Sequence, residues 1–169
     1  MPEIPEEYRG VKGLDADKEA VLAELRDAVV GTLNPDGTIH MTPVWFLYEN
    51  GMVYFETNGR TRKARNVAER GWASVLVIST VDVIGMGKGR VIDGDEAKQI
   101  NRRLRAKYLT PAGERPVGGR FERLDDVAVE ITPTRWVSWS SAKLIEGLRE
   151  LPEYSDDVVD DWYKPRDDE

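Results

Sequence analysis

Arg60, Arg62, Lys63 and Arg65 place four cationic side chains in one short stretch, interleaved with Gly59 and Thr61 and preceded by Thr57. The stretch follows a strand-like run, Gly51 to Glu56, and opens a short helix predicted over residues 62–70. Free N–H groups at a helix start, hydroxyl donors and paired guanidinium and ammonium groups make a natural anion site. A solvated helix face is the competing reading, since most charge runs are exactly that kind of surface in water. The helix dipole disfavours cations at this end, so their placement makes physical sense if an anion pairs with them. We read the stretch as a phosphate grip.

The rest of the chain offers little conventional catalytic chemistry. His40 is the one histidine and there is no cysteine. Thiolate nucleophiles, disulfides and thiolate metal centres are thereby excluded; no Ser-His-Asp triad or multi-histidine metal centre can be drawn from the residues, and no metal site is expected. His40 reads as an ordinary strand residue. The run Gly85-Met86-Gly87-Lys88-Gly89-Arg90 suggests a nucleotide loop. However, Gly89 stands where Ser or Thr should follow the lysine, and Asp82 where the upstream glycine should be. Asp125-Asp126 reads as a solvated turn. No side chain is identified as a catalytic acid or base, so a bound cofactor must carry the difficult step of any reaction.

These residues need a scaffold. The length, 169 residues, suits one domain with a sizeable core. A helix is predicted from about Asp17 to Arg26, then strands over 28–33, 38–48, 52–57, 72–80 and 83–92. Asn34-Pro35-Asp36-Gly37 and Glu49-Asn50-Gly51 supply turns. Alternating glycines at 85, 87 and 89 suggest a bulge or close backbone approach. A third helix over 95–108 has Ala97, Ile100, Leu104 and Tyr108 as its apolar stripe, with Arg102, Arg103, Arg105 and Lys107 mostly on its wet face. A Gly/Pro-rich loop over 110–119 precedes a last strand carrying Val127, Val129 and Ile131, broken at Pro133 and resumed at 136–139. Hairpin-linked strands with few helices indicate a small antiparallel barrel. Apolar residues on both faces around Val44–Leu47 and Val75–Ile78 suggest strands lying between a core and an interface.

The net charge is −7, and the segment from Pro152 onward carries eight acidic residues against Lys164 and Arg166. A domain over 1–151 and an acidic tail over 152–169 are expected. The remaining balance is nearly neutral and lacks the broad basic surface of a nucleic-acid binder. No apolar run spans a membrane and no signal peptide is expected, so a cytoplasmic location with no membrane partner is the default.

Taken in order, Gly37-Thr38-Ile39-His40-Met41-Thr42-Pro43-Val44-Trp45-Phe46, Gly51-Met52-Val53-Tyr54-Phe55 and Thr61-Arg62-Lys63-Ala64-Arg65-Asn66-Val67 resemble a known family. It is the flavin/deazaflavin oxidoreductases of the pyridoxamine 5′-phosphate oxidase-like split β-barrel superfamily. The resemblance covers about Ala28 to Tyr108, and Thr132 to Trp139 is similar to a late strand of that family. It implies a mostly β, six-stranded antiparallel split barrel that forms a homodimer, with FMN or coenzyme F-420 at the interface. Thr57, Thr61, Arg62 and Lys63 would take the cofactor phosphate, while Thr42, Pro43, Val44 and Trp45 would lie along the ring. Pyridoxamine phosphate oxidase itself carries arginine where this chain has His40 and lysine where it has Trp45. Its C-terminal arginine–histidine pair has no counterpart, because no histidine follows His40. The resemblance therefore implies hydride transfer between the cofactor and an unsaturated small molecule rather than vitamin B6 oxidation. A carrier without turnover, or an interaction module using the basic patch, are the alternatives.

Overall fold

The computed structural model describes residues 4–124 and 126–152. Eight antiparallel strands form one sheet: β1 (Val11–Lys12), β2 (Ala28–Leu33), β3 (Ile39–Val44), β4 (Leu47–Glu49), β5 (Met52–Asn58), β6 (Trp72–Val77), β7 (Asp82–Ile92) and β8 (Asp126–Trp139). Their order is β3-β2-β6-β7-β8-β5-β4, with β1 added to β8. The helices are α1 (Ala16–Ala23), α2 (Arg62–Arg70), α3 (Gly94–Tyr108), α4 (Pro111–Glu122) and α5 (Ala142–Arg149). The residues divide into two compact units, 11–138 holding the whole sheet up to Ser138, and the terminal segments holding α5 and a short 3-10 helix, Glu6–Tyr8.

The topology forces the sheet to curl. β3 and β4 lie at opposite ends of the strand order, yet only Trp45 and Phe46 separate them in sequence. Three peptide links reach about 10 Å at most, so the sheet's two edges must approach each other at this bend. Curling places Val30, Phe46, Val53, Phe55, Val75, Val77, Val83, Val129 and Ile131 in a common buried core. A second cluster joins Tyr54 and Ala128 to Ile92, Ala97 and Ile100, packing α3 on the opposite side of β5 and β8. This is the antiparallel split barrel expected from the sequence, with more strands than the six anticipated.

Turn chemistry sets the hairpins. Gly37 has φ 85° and donates its N–H to Asn34 O at 3.0 Å, closing the β2–β3 turn. Asn50 (φ 52°) and Gly51 (φ 79°) turn β4 into β5. Four sequence expectations need correction. The second strand is two, because the chain leaves β2 after Val44 and joins β5 at Leu47. Residues 24–26 and 78–80 fall outside α1 and β6. The Gly/Pro-rich segment is largely helical: Thr110 caps α4 by accepting from Gly113 N at 3.3 Å, and Pro111 occupies the first helical position, where no N–H is needed. β8 runs unbroken through Pro133, which lies between the stretch paired with β5 and the stretch paired with β1. The tail beyond Pro152 lies outside the described residues.

Candidate functional site

Where the chain passes from β3 to β4, β5 loses its neighbour on that side. Leu47 pairs with Tyr54, whereas Val44 pairs with Ala28 on β2. A split therefore opens beside the C-terminal half of β5. Tyr108 at the end of α3 fixes its rim. The Tyr108 hydroxyl accepts from Phe46 N at 3.0 Å and lies 2.7 Å from the acceptor Arg26 O. Its ring stacks on Trp45 with centroids 4.8 Å apart and planes 3° from parallel. Burial pushes the Tyr108 phenol up to about 12, so it stays protonated and able to donate at neutral pH.

A cavity of about 340 Å³ lies here. Trp45 comes from the bend, and Glu56, Thr57 and Asn58 from β5. Leu104 of α3, Phe121 of α4 and Asp126 at the start of β8 complete the lining. Asn58 ties these elements together, donating to Leu124 O at 2.8 Å and Asp126 Oδ1 at 3.1 Å.

The predicted grip begins one residue along β5 from Glu56. Thr57 Oγ1 lies 3.1 Å from Thr61 Oγ1, and Thr61 caps α2 by accepting from Ala64 N at 3.5 Å. Asn66 anchors the helix by donating to Thr32 Oγ1 and Asn34 Oδ1 of the β2–β3 hairpin, at 3.1 and 2.9 Å. Arg62 is exposed and Lys63 half-buried, and neither has an ion pair or hydrogen bond among the described residues. Burial without a counterion lowers the Lys63 ammonium below its ordinary range. An arriving anion would relieve that cost, so these residues fit a phosphate on their own chemistry.

The expected site residues are only partly gathered. Trp45 and Thr57 share the cavity, Thr57 meets Thr61, and α2 carries Arg62 and Lys63. Val44 belongs to the core. Thr42 and Pro43 sit in β3 opposite Val30 and Val29, away from the cavity lining. His40 pairs with Thr32, and Lys88 lies within β7 opposite Trp72, in a strand instead of a phosphate loop.

Two residues assigned to solvent are not there. Arg105 is 1% exposed because α4 covers that side of α3; it donates from Nη1 to Glu56 Oε1 at 2.7 Å and from Nε to Glu114 Oε1 at 3.0 Å. Asp126 lines the cavity instead of a turn. Sequence reasoning also passed over Glu56, whose one signal was a carboxylate inside an apolar strand. Burial pushes the Glu56 carboxyl up to about 7; Asp126 and Glu114 push the same way, against the pull of Arg105. Desolvation outweighs the attraction of Arg105. Among the described residues, no group of three or more His, Cys, Asp or Glu is arranged to hold a metal, and no helix is long and apolar enough to cross a membrane.

Known folds show the same architecture. A protein described as an F420 reductase is 21% identical, with 79% of this chain and 98% of that one covered and a TM-score of 0.56. A conserved hypothetical protein from Mycobacterium tuberculosis is 20% identical over 89% and 94% of the two chains, TM-score 0.62. The flavocytochrome Anf3 from Azotobacter vinelandii is 17% identical over 76% and 68%, TM-score 0.60. These similarities establish the fold. No curated protein sequence matches the chain. A sequence model of the family described as pyridoxamine 5′-phosphate oxidase matches residues 14–140, well over half the chain and nearly the whole sheet. With the curled sheet, the split beside β5 and that match together, the chain belongs to the pyridoxamine 5′-phosphate oxidase family.

Proposed function

We propose that this protein is a homodimeric oxidoreductase that binds FMN or coenzyme F-420 and moves a hydride between it and an unsaturated small molecule. One observation carries the reading: the Thr57–Thr61 hydroxyl pair opens α2 beside Arg62 and Lys63, which make no hydrogen bond or close ion pair among the described residues, and Thr57 also borders the Trp45 cavity. Those four residues would hold the phosphate, and Thr42-Pro43-Val44-Trp45 would border the ring. When bound, the cofactor supplies the hydride chemistry that no side chain here offers. The protein contributes orientation and water exclusion: Tyr108 holds the Phe46 backbone and stacks on Trp45, fixing one wall. Protein purified gently should carry a flavin or deazaflavin chromophore identifiable by mass, or take one up stoichiometrically on titration. Failure to bind either cofactor at micromolar concentration would overturn the reading; binding with no turnover on any unsaturated acceptor would favour a carrier.

The outer sheet face supports a second copy. Register places Leu33, Ile39 and Met41 on the face away from the core. On β6 and β7, Trp72, Leu76, Ile84 and Met86 occupy that same side. Ile39 is 69% and Met41 63% exposed. A contiguous apolar face of this kind marks an association surface. Light scattering should therefore give a dimer at micromolar concentration, and Ile39→Lys with Met41→Lys should give a folded monomer. A monomeric wild type in the presence of cofactor would sink the dimer.

A further inference from the structure

Trp45 and Phe121 give the cavity beside β5 two aromatic side chains, and its ionisable lining groups are two carboxylates, Glu56 and Asp126. Arg105, which pairs with Glu56, is also committed elsewhere. Besides Glu56 it binds Glu114 through Nε, and its Nη2 lies 3.6 Å from Glu122 Oε1, which already accepts from Arg102 at 2.9 Å. The carboxylates around Arg105 thus outnumber it. Aromatic faces attract cations and carboxylates neutralise them, while both oppose an anion.

Behind Glu56 lies a second, smaller cavity of about 50 Å³. Glu56, Phe121 and Asp126 border both spaces. Arg105 Nη2 and Asn101 Oδ1 border the small one; the residues are 1% and 2% exposed, and both atoms lack a hydrogen-bond partner. An unpaired donor and an unpaired acceptor beside a polar space of this size leave room for ordered water. Water in that space would give the Glu56 carboxyl a route for its proton.

We infer that the larger cavity is the substrate pocket and that it selects a molecule bearing an organic cation, such as a protonated or quaternary nitrogen, held between the aromatic side chains and the Glu56 and Asp126 carboxylates. The inference rests on the proposed function for the word substrate; the cation selectivity stands on the cavity alone. Binding of the cation draws Glu56 to its ionised form and releases its proton. The charged groups acting on Glu56 are Arg105 from α3, which favours ionisation, and Asp126 from β8 and Glu114 from α4, which oppose it; Asp93, Lys98 and Glu122 also border the small cavity behind it. Affinity must therefore rise with pH through about 7, where Glu56 titrates.

The test is calorimetric titration of the full chain, with and without cofactor, using benzyltrimethylammonium, benzyl alcohol and benzoate. The cation should bind at least several-fold more tightly than the alcohol, and benzoate most weakly. Its affinity should rise roughly ten-fold from pH 6 to pH 8, as linkage to a single proton released near pH 7 requires. Glu56→Gln should abolish that pH dependence and weaken the cation, Asp126→Asn should weaken it further, and Trp45→Ala should weaken it with the pH dependence retained. Equal binding of alcohol and cation, preference for benzoate, or a flat wild-type pH profile would overturn the inference. Should Glu56→Gln fail to fold, the wild-type pH profile and Asp126→Asn decide. Cation binding by a protein that binds neither FMN nor coenzyme F-420 would remove the proposed function and leave the pocket's selectivity standing; the reverse pattern would remove only the selectivity.

Discussion

Replacing Gly87 with alanine is expected to destabilise the barrel by about 3 kcal/mol or more, at or beyond the upper end for an overpacked core. A Cβ at this position would lie 2.0 Å from Thr132 O and 2.6 Å from Pro133 Cα. Both are backbone atoms of β8, so no rotamer change relieves the overlap and the two strands must part. The nearby glycines grade the effect. At Gly85 the added carbon meets the Trp136 ring at 2.7 Å, and at Gly89 it meets Val67 Cγ1 of α2 at 2.8 Å, side chains that can shift. At Gly147, within α5, nothing lies within 4 Å, and alanine should stabilise by roughly 0.5–1 kcal/mol through helix propensity. Thermal unfolding of the four variants should rank them Gly147→Ala above wild type, then Gly85→Ala and Gly89→Ala, with Gly87→Ala lowest by about 10 °C or unfolded. A Gly87→Ala protein as stable as wild type would show that β7 and β8 do not approach so closely.

That glycine series was legible in the sequence as a close backbone approach, because three glycines at spacing two weaken a strand unless something needs the space. Local signals served equally well at the Asn34–Gly37 turn and at α2, where Thr61 supplies the cap and Gly71, at φ 63°, the left-handed end. Distant partners were not legible. Pro116, Gly113, Gly118 and Gly119 argue against α4 on propensity, yet Arg105 meets Glu114 across the α3–α4 contact. The same contact hides Arg105, which helical spacing alone assigns to water. Glu56 needed both facts: its burial depends on α3 and α4, and that burial raises its protonation range, with a smaller push from Asp126, seventy residues away in sequence. The residues proposed for the grip could be grouped because they are nearly consecutive; the cavity could not, because bend, strands and helices each contribute to it.

The grip itself should respond most strongly to Arg62→Ala and Lys63→Ala. Each should weaken FMN or coenzyme F-420 by about 1.5–3 kcal/mol, the range for a hydrogen bond to a charged group. That is roughly ten- to a hundred-fold or more in dissociation constant. Stability without cofactor should hardly change in either variant, since Arg62 makes no hydrogen bond or close ion pair among the described residues, only a through-space attraction to exposed Asp36, and Lys63 is held partly buried without a counterion. Thr61→Ala should behave differently. It loses a neutral donor, so binding should weaken by about half as much. It also removes the α2 cap, which should lower apo stability by about 1 kcal/mol. Riboflavin, lacking the phosphate, should bind wild type, Arg62→Ala and Lys63→Ala alike. Titrating all four proteins with FMN, riboflavin and coenzyme F-420, beside denaturant unfolding of the apo forms, separates the two effects. Phosphorylated cofactors bound as tightly by Arg62→Ala and Lys63→Ala as by wild type would return these cations to a solvated helix start, and equal losses for riboflavin would mean that they support the ring and not the phosphate.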